Sequence, residues 1–157
     1  MSRYRIVFYS MALLFIALSA CGPALTPAIT PEPSTTPASQ GEGFESYEQL
    51  VGALRDAGAT VEPVGEVVQP FFAVPAQMIE VNGAEVQVFE YPDTAARQED
   101  SYLISPDGYT IGTSQITWVD RPHFWAPGRL IVLYVGSDRS ILGLLSSILG
   151  EPVTSGD

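Results

Sequence analysis

Cys21 is the only cysteine in the 157-residue chain, and it stands directly behind Leu18-Ser19-Ala20. A thiolate is a strong nucleophile, so an unpaired cysteine is a candidate for reaction or covalent attachment. The one histidine, His123, lies three residues after Asp120. An imidazole and a carboxylate at that spacing could share a metal or work as acid and base. They supply only half of a four-ligand zinc site, however, and no second cysteine can complete it. Glu80 and Glu85, with Glu66 or Glu90, could offer oxygens to calcium, but that ion takes about six to eight of them and the chain has no Asp-rich loop. A solvated carboxylate face accounts for these residues more simply. No Gly-x-Ser-x-Gly elbow, Gly-x-Gly-x-x-Gly turn or Walker loop occurs, so serine hydrolysis and nucleotide cofactors have no support. The residue types therefore predict no metal, no cofactor and no catalytic group.

The position of Cys21 is more telling than its chemistry. Arg3 and Arg5 open the chain, residues 6–17 are apolar apart from Ser10, and small residues lead up to Ala20. A basic start, an apolar middle and a small-residue cleavage region make a secretory signal over residues 1–20. The apolar span 6–20 is short of the roughly 20 residues that a bilayer-crossing helix needs. Leu18-Ser19-Ala20-Cys21 resembles the lipobox of bacterial lipoproteins. That resemblance implies diacylglycerol on the Cys21 sulfur, cleavage after Ala20, and acylation of the freed amine with a palmitate-type chain. Two or three chains hold stably, because each buried methylene contributes about 0.8 kcal/mol and one chain alone is marginal. Membrane lipid is thus one expected partner, and the expected location is the extracytoplasmic side of a cell membrane or outer membrane. Gly22 replaces the aspartate that retains many such proteins at an inner membrane, which implies the outer one where a host has two.

Charge narrows the remaining partners. The chain has seven Lys plus Arg, all arginine, against eighteen Asp plus Glu, for a net charge of −11. Removing residues 1–20 leaves five arginines against the same eighteen carboxylates. So acidic a surface repels phosphate backbones and anionic headgroups, which argues against nucleic acid and electrostatic membrane docking.

Residues 21–43 begin at the lipid-bearing Cys21 and carry Pro23, Pro27, Pro31, Pro33 and Pro37 among Thr, Ser, Ala and Gly. Such a segment buries too little to order itself and is read as a disordered tether. It would span on the order of 25 Å as a coil and about 70 Å as polyproline helix. From residue 44 to 157 the pattern becomes periodic, as expected of one globular domain with room for a core. Ser46 and Gln49 form a capping box ahead of Tyr47, Leu50, Val51, Leu54 and Ala57 at helical spacing, and Gly58 stops that helix. Residues 60–64 read as a short strand, and 67–74, with Pro70, as an edge strand. Residues 77–81 and 84–91 flank Asn82-Gly83, a hairpin signal that sets Val81 opposite Ala84, Glu80 opposite Glu85 and Ile79 opposite Val86.

Pro92-Asp93 leads into a second helix over 94–103, and Ser105-Pro106-Asp107-Gly108 is a turn. A strand is expected at 115–119, an aromatic and proline-rich loop at 120–129, and an apolar central strand at 130–135, covered on both faces. A last helix carries Ile141, Leu142, Leu144, Leu145, Ile148 and Leu149 and is ended by Gly150 and Pro152. The order α-β-β-β-β-α-β-β-α predicts an α+β domain: a mainly antiparallel sheet with helices packed on one face.

The stretches Gln69-Pro70-Phe71-Phe72, Ile104-Ser105-Pro106-Asp107-Gly108 and the run 128–136 (GRLIVLYVG) look like those of small, uncharacterised bacterial lipoproteins. The likeness spans most of residues 46–150 and implies no activity. Phe71, Phe72, Trp118, His123, Phe124 and Trp125 are large residues in expected loops and edges; the simpler reading is that the aromatic segments seal the second face of the sheet, and any left exposed would mark a ligand or partner surface. The expected function is a lipid-anchored, non-catalytic binding or accessory domain for an envelope protein or a small apolar ligand. The alternative is a structural lipoprotein of envelope assembly. A hydrolase-type enzyme would need His123 with Asp120, or the Glu80 and Glu85 pair, as acid and base.

Overall fold

The computed structural model describes residues 43–154. The expected signal, Cys21 and nearly all of the expected tether lie outside the described residues. Helix α1 (Tyr47–Asp56) starts where its cap demands, with the Ser46 side chain accepting from the Gln49 amide. Leu50 and Leu54 are completely buried, each stabilising the fold by about 1.5–3 kcal/mol. Strand β1 (Val61–Val67) is longer than the expected 60–64. The expected edge strand at 67–74 is not formed. Pro70 and Pro75 bracket a turn instead, because neither can donate to a ladder. The edge position falls to β1, which carries Pro63 and an irregularity between Pro63 and Gly65.

Strands β2 (Ala76–Val81) and β3 (Ala84–Glu90) form the expected hairpin, with Val81 opposite Ala84, Glu80 opposite Glu85 and Ile79 opposite Val86. Asn82 and Gly83 both have positive φ, 52° and 85°, as a two-residue loop matched to strand twist requires. Helix α2 (Thr94–Ser101) is capped by Asp93. The expected strand at 115–119 shrinks to a small hairpin of β4 (Thr110–Ile111) and β5 (Ser114–Gln115). The expected loop at 120–129 contains a strand, β6 (Pro122–Trp125), paired with β7 (Leu130–Val135). Helix α3 (Arg139–Leu149) follows, with the Asp138 carboxylate accepting from the Ser140 and Ile141 amides.

The main sheet runs β1-β2-β3-β7-β6, with every pair antiparallel. This is the α+β fold that the element order predicts. Alternation along the strands divides the core in two. On one face Ile79, Val88, Trp125 and Val132 meet Leu50 and Leu54 of α1 and Ile141 and Leu145 of α3. On the other, Phe89, Phe124, Ile131 and Leu133 meet Phe72 and Ile111, with Ala96 of α2 at the margin. β7 is therefore covered on both sides, and the cover for the second face comes from within the same chain.

The outer edge of β6 is also closed. The Val153 amide donates to the Phe124 carbonyl at 2.7 Å, and the Phe124 amide donates to Thr154 Oγ1 at 3.2 Å.

Candidate functional site

The six residues expected to share a ligand or partner surface do not share one. His123 and Trp125 alternate with Phe124 along β6, so they face α1 and α3 while Phe124 faces the second layer. Phe124 and Trp125 are fully buried and Phe72 and His123 are 8% exposed. Phe71 and Trp118 alone are half-buried, at the rim of the second layer. The Phe72 ring stands edge-on to Phe89 at 4.7 Å and to Phe71 at 5.0 Å, and Trp118 meets Phe71 and Phe124, each at 6.1 Å. Such edge-to-face pairs add to burial and make a dry seal. These aromatics close the second face of the sheet, as the reading of them as a seal expects.

His123 and Asp120 share no hydrogen bond. His123 lies between the rings of Trp125 and Tyr134, at centroid distances of 6.2 and 6.3 Å. Its Nε2 is buried with no hydrogen-bond partner. Burial pushes the imidazole below its ordinary range, and the Gly136 backbone opposes this less strongly. The Asp120 carboxylate accepts instead from Ser137 Oγ and the Arg121 amide, both at 2.7 Å. Those bonds hold it below the usual carboxylate range. Glu80 faces Glu85 on β3, as expected, and also Glu62 on β1, which makes a row of three like charges. Among the described residues, no group of three or more His, Cys, Asp or Glu could hold a metal ion.

The best-built polar constellation centres on Arg129, which sequence reasoning left among the loop residues. Its Nη1 donates to the Pro92 carbonyl at 3.0 Å and the Tyr91 carbonyl at 3.3 Å. Its Nη2 donates to the Glu45 carbonyl and faces Glu90 Oε1 at 3.4 Å, and Nε lies 3.4 Å from Glu45 Oε2. The guanidinium offers five donors in a rigid planar fork, the geometry needed for carbonyls and carboxylates converging from several directions. Glu90 in turn accepts from the Tyr47 amide at 3.0 Å, which ties the same cluster to the first turn of α1. The Arg129 amide donates to the Phe44 carbonyl. Gly43 and Gly128 cross backbone to backbone: a Cβ on Gly128 would lie 2.3 Å from the Phe44 carbonyl oxygen. The leading strap, residues 43–45, is thus fastened to the ends of β3 and β7. A lone arginine opening an apolar strand was the available signal, since a cation there needs partners.

Beside this strap lies a groove of about 470 Å³. Phe44, Ile148, Leu149 and Val153 line it with Glu45, Thr94 and Glu151, and its exposed lining is more polar than apolar. None of the six expected surface residues lines it. No family model, curated protein or solved structure matches the chain.

Proposed function

We propose that this chain is a lipid-anchored, extracytoplasmic binding or accessory domain with no catalytic chemistry of its own. Acylated Cys21 anchors it, and the proline-rich segment after Cys21 holds it away from the bilayer. The observation that supports this reading is the joint at residues 43–45. The point where a tether would meet the domain is fixed by the Arg129 fork and the Gly43–Gly128 crossing. A domain attached through its first residue gains from such a joint, because thermal tugging at a frayed end would otherwise peel α1 from the sheet. Cys21→Ser tests the reading, since it removes the thiolate that would accept lipid with little change of size. The expected result is loss of palmitate labelling and failure of cleavage after Ala20. Processing and membrane fractionation equal to the natural chain would overturn it.

A further inference from the structure

The turn between β7 and α3 is folded around His123. Its partner on the neighbouring strand is Tyr134, whose ring stacks on the imidazole with 21° between the planes. The Tyr134 hydroxyl accepts from the Asp138 amide at 3.4 Å, at the head of α3. Its ring also fills the space over Gly136, where a Cβ would collide with the hydroxyl. Two more bonds fasten this turn to the segment that leads into β6. The Gly136 amide donates to the Arg121 carbonyl at 2.9 Å, and Ser137 Oγ donates to Asp120 at 2.7 Å. His123 Nε2, in the middle, is buried with no hydrogen-bond partner.

A neutral imidazole can leave one nitrogen as an idle acceptor, but a protonated ring carries a charged N–H on both. At Nε2 that N–H would be buried without an acceptor, a costly arrangement. Asp120 is the anion that acts on the ring and Arg121 the cation. Of the other groups, Asp138 and Arg139 at the head of α3 and Glu48, Arg55 and Asp56 of α1 are exposed, and Tyr47 is half-buried. Residues 152–154, along the outer edge of β6, carry no titratable side chain. We propose that His123 is a proton-operated latch: protonation drives the imidazole out of its stack toward Asp120 and loosens the turn 136–138 at the head of α3, while the sheet stays paired. The opened form takes up the proton with the ordinary affinity of an imidazole and the closed form more weakly, so acid favours opening. Between about one unit above 6.5 and about one unit below it, the opened population rises by up to about tenfold, the linkage of one proton. It remains a minor form throughout.

The test uses the isotope-labelled full chain in nonionic detergent micelles, with amide hydrogen exchange and the His123 ring signals read by NMR. Exchange rates are divided by those of an unstructured chain at the same pH. The Gly136, Asp138 and Ile141 amides are expected to be less protected than those of the β2–β3 hairpin, because they open locally. Over that pH range their protection should fall by about five- to tenfold, and the ring should titrate below 6.5. The fall should vanish in His123→Gln. It should vanish also in His123→Phe, which keeps a ring between Trp125 and Tyr134, so one variant suffices if the other does not fold. Protection at the turn that is constant with pH would overturn the proposal, as would a ring that titrates at 6.5. Turn amides protected as strongly as the hairpin would overturn it too, since the proton would then act only through global unfolding. A fall that persists without the imidazole would assign the effect to the carboxylates and refute the latch.

Discussion

Replacing Arg129 with methionine keeps most of the apolar stem and removes the fork. In the structure that fork serves three backbone carbonyls, those of Glu45, Tyr91 and Pro92, and faces the carboxylates of Glu45 and Glu90. A hydrogen bond from a charged donor contributes about 1.5–3 kcal/mol when desolvated. The Arg129 side chain is 26% exposed, however, and Glu45 and Pro92 lie at the surface, where water can replace the lost donors. Tyr91 is 1% exposed, so the bond to its carbonyl is the one least readily replaced. The two ion pairs are half in solvent and add at most about 1 kcal/mol together. The expected loss is therefore about 3 kcal/mol, a large share of the roughly 5–15 kcal/mol that holds a domain folded. With a urea slope of about 1.5 kcal/mol per molar for a domain of this size, the unfolding midpoint falls by about 2 M. Arg129→Lys keeps a charge but not the fork and should lie between the two. Limited proteolysis under native conditions should cut Arg129→Met first at residues 43–47. A midpoint shift under about 0.5 M, or no new cleavage at the strap, would refute the assignment of Arg129 as the fastener.

Two further changes probe other parts of the same sheet. Glu80→Arg converts the Glu62–Glu80–Glu85 row into two attractive cross-strand pairs and should raise stability by about 1 kcal/mol at low salt, with the gain shrinking as salt is added; an unchanged urea midpoint at low ionic strength would count against it. His123, the chain's only histidine, has its folded pKa lowered from 6.5, chiefly by burial. The unfolded chain therefore takes up the proton first, and stability is full above pH 6.5 and declines as the pH falls below it. His123→Gln should remove that part of the slope, and equal wild-type midpoints at neutral pH and about one unit below 6.5 would refute it.

The parts of this fold that were legible are those with local causes. Ser46, Asn82-Gly83 and Gly150 each act over a few residues, and α1, the β2–β3 hairpin and α3 fall where they indicate. β6 was not legible, because Pro122, His123, Phe124 and Trp125 are all buried and show none of the polar–apolar alternation by which half-exposed strands are read. Its outer edge is closed by Val153 and Thr154, about thirty residues away, a partner no local pattern can announce. The aromatic residues are costly to expose, and the structure meets that cost by burying most of them in the layers on either side of the sheet. Arg129 is not legible because the partners of its side chain lie in two segments, Glu45 and residues 90–92, far from it in the chain, and the groove because its lining is ordinary residue by residue.

The closure of β6 by the chain's own final described residues has a consequence for how such domains behave when packed side by side on a surface. A sheet can lengthen from copy to copy only where a strand has free amides and carbonyls, and among the described residues the five-stranded sheet offers one such border, β1. There Pro63 has no amide hydrogen, the ladder is already irregular at Gly65, and Glu62 and Glu66 oppose one another in an antiparallel match centred on Val64. Growth therefore has a poor initiation site at one border and a built-in terminator at the other. Removing residues 152–154 would free the Phe124 amide and carbonyl, taking away the terminator and turning a border that stops sheet growth into one that can accept a strand.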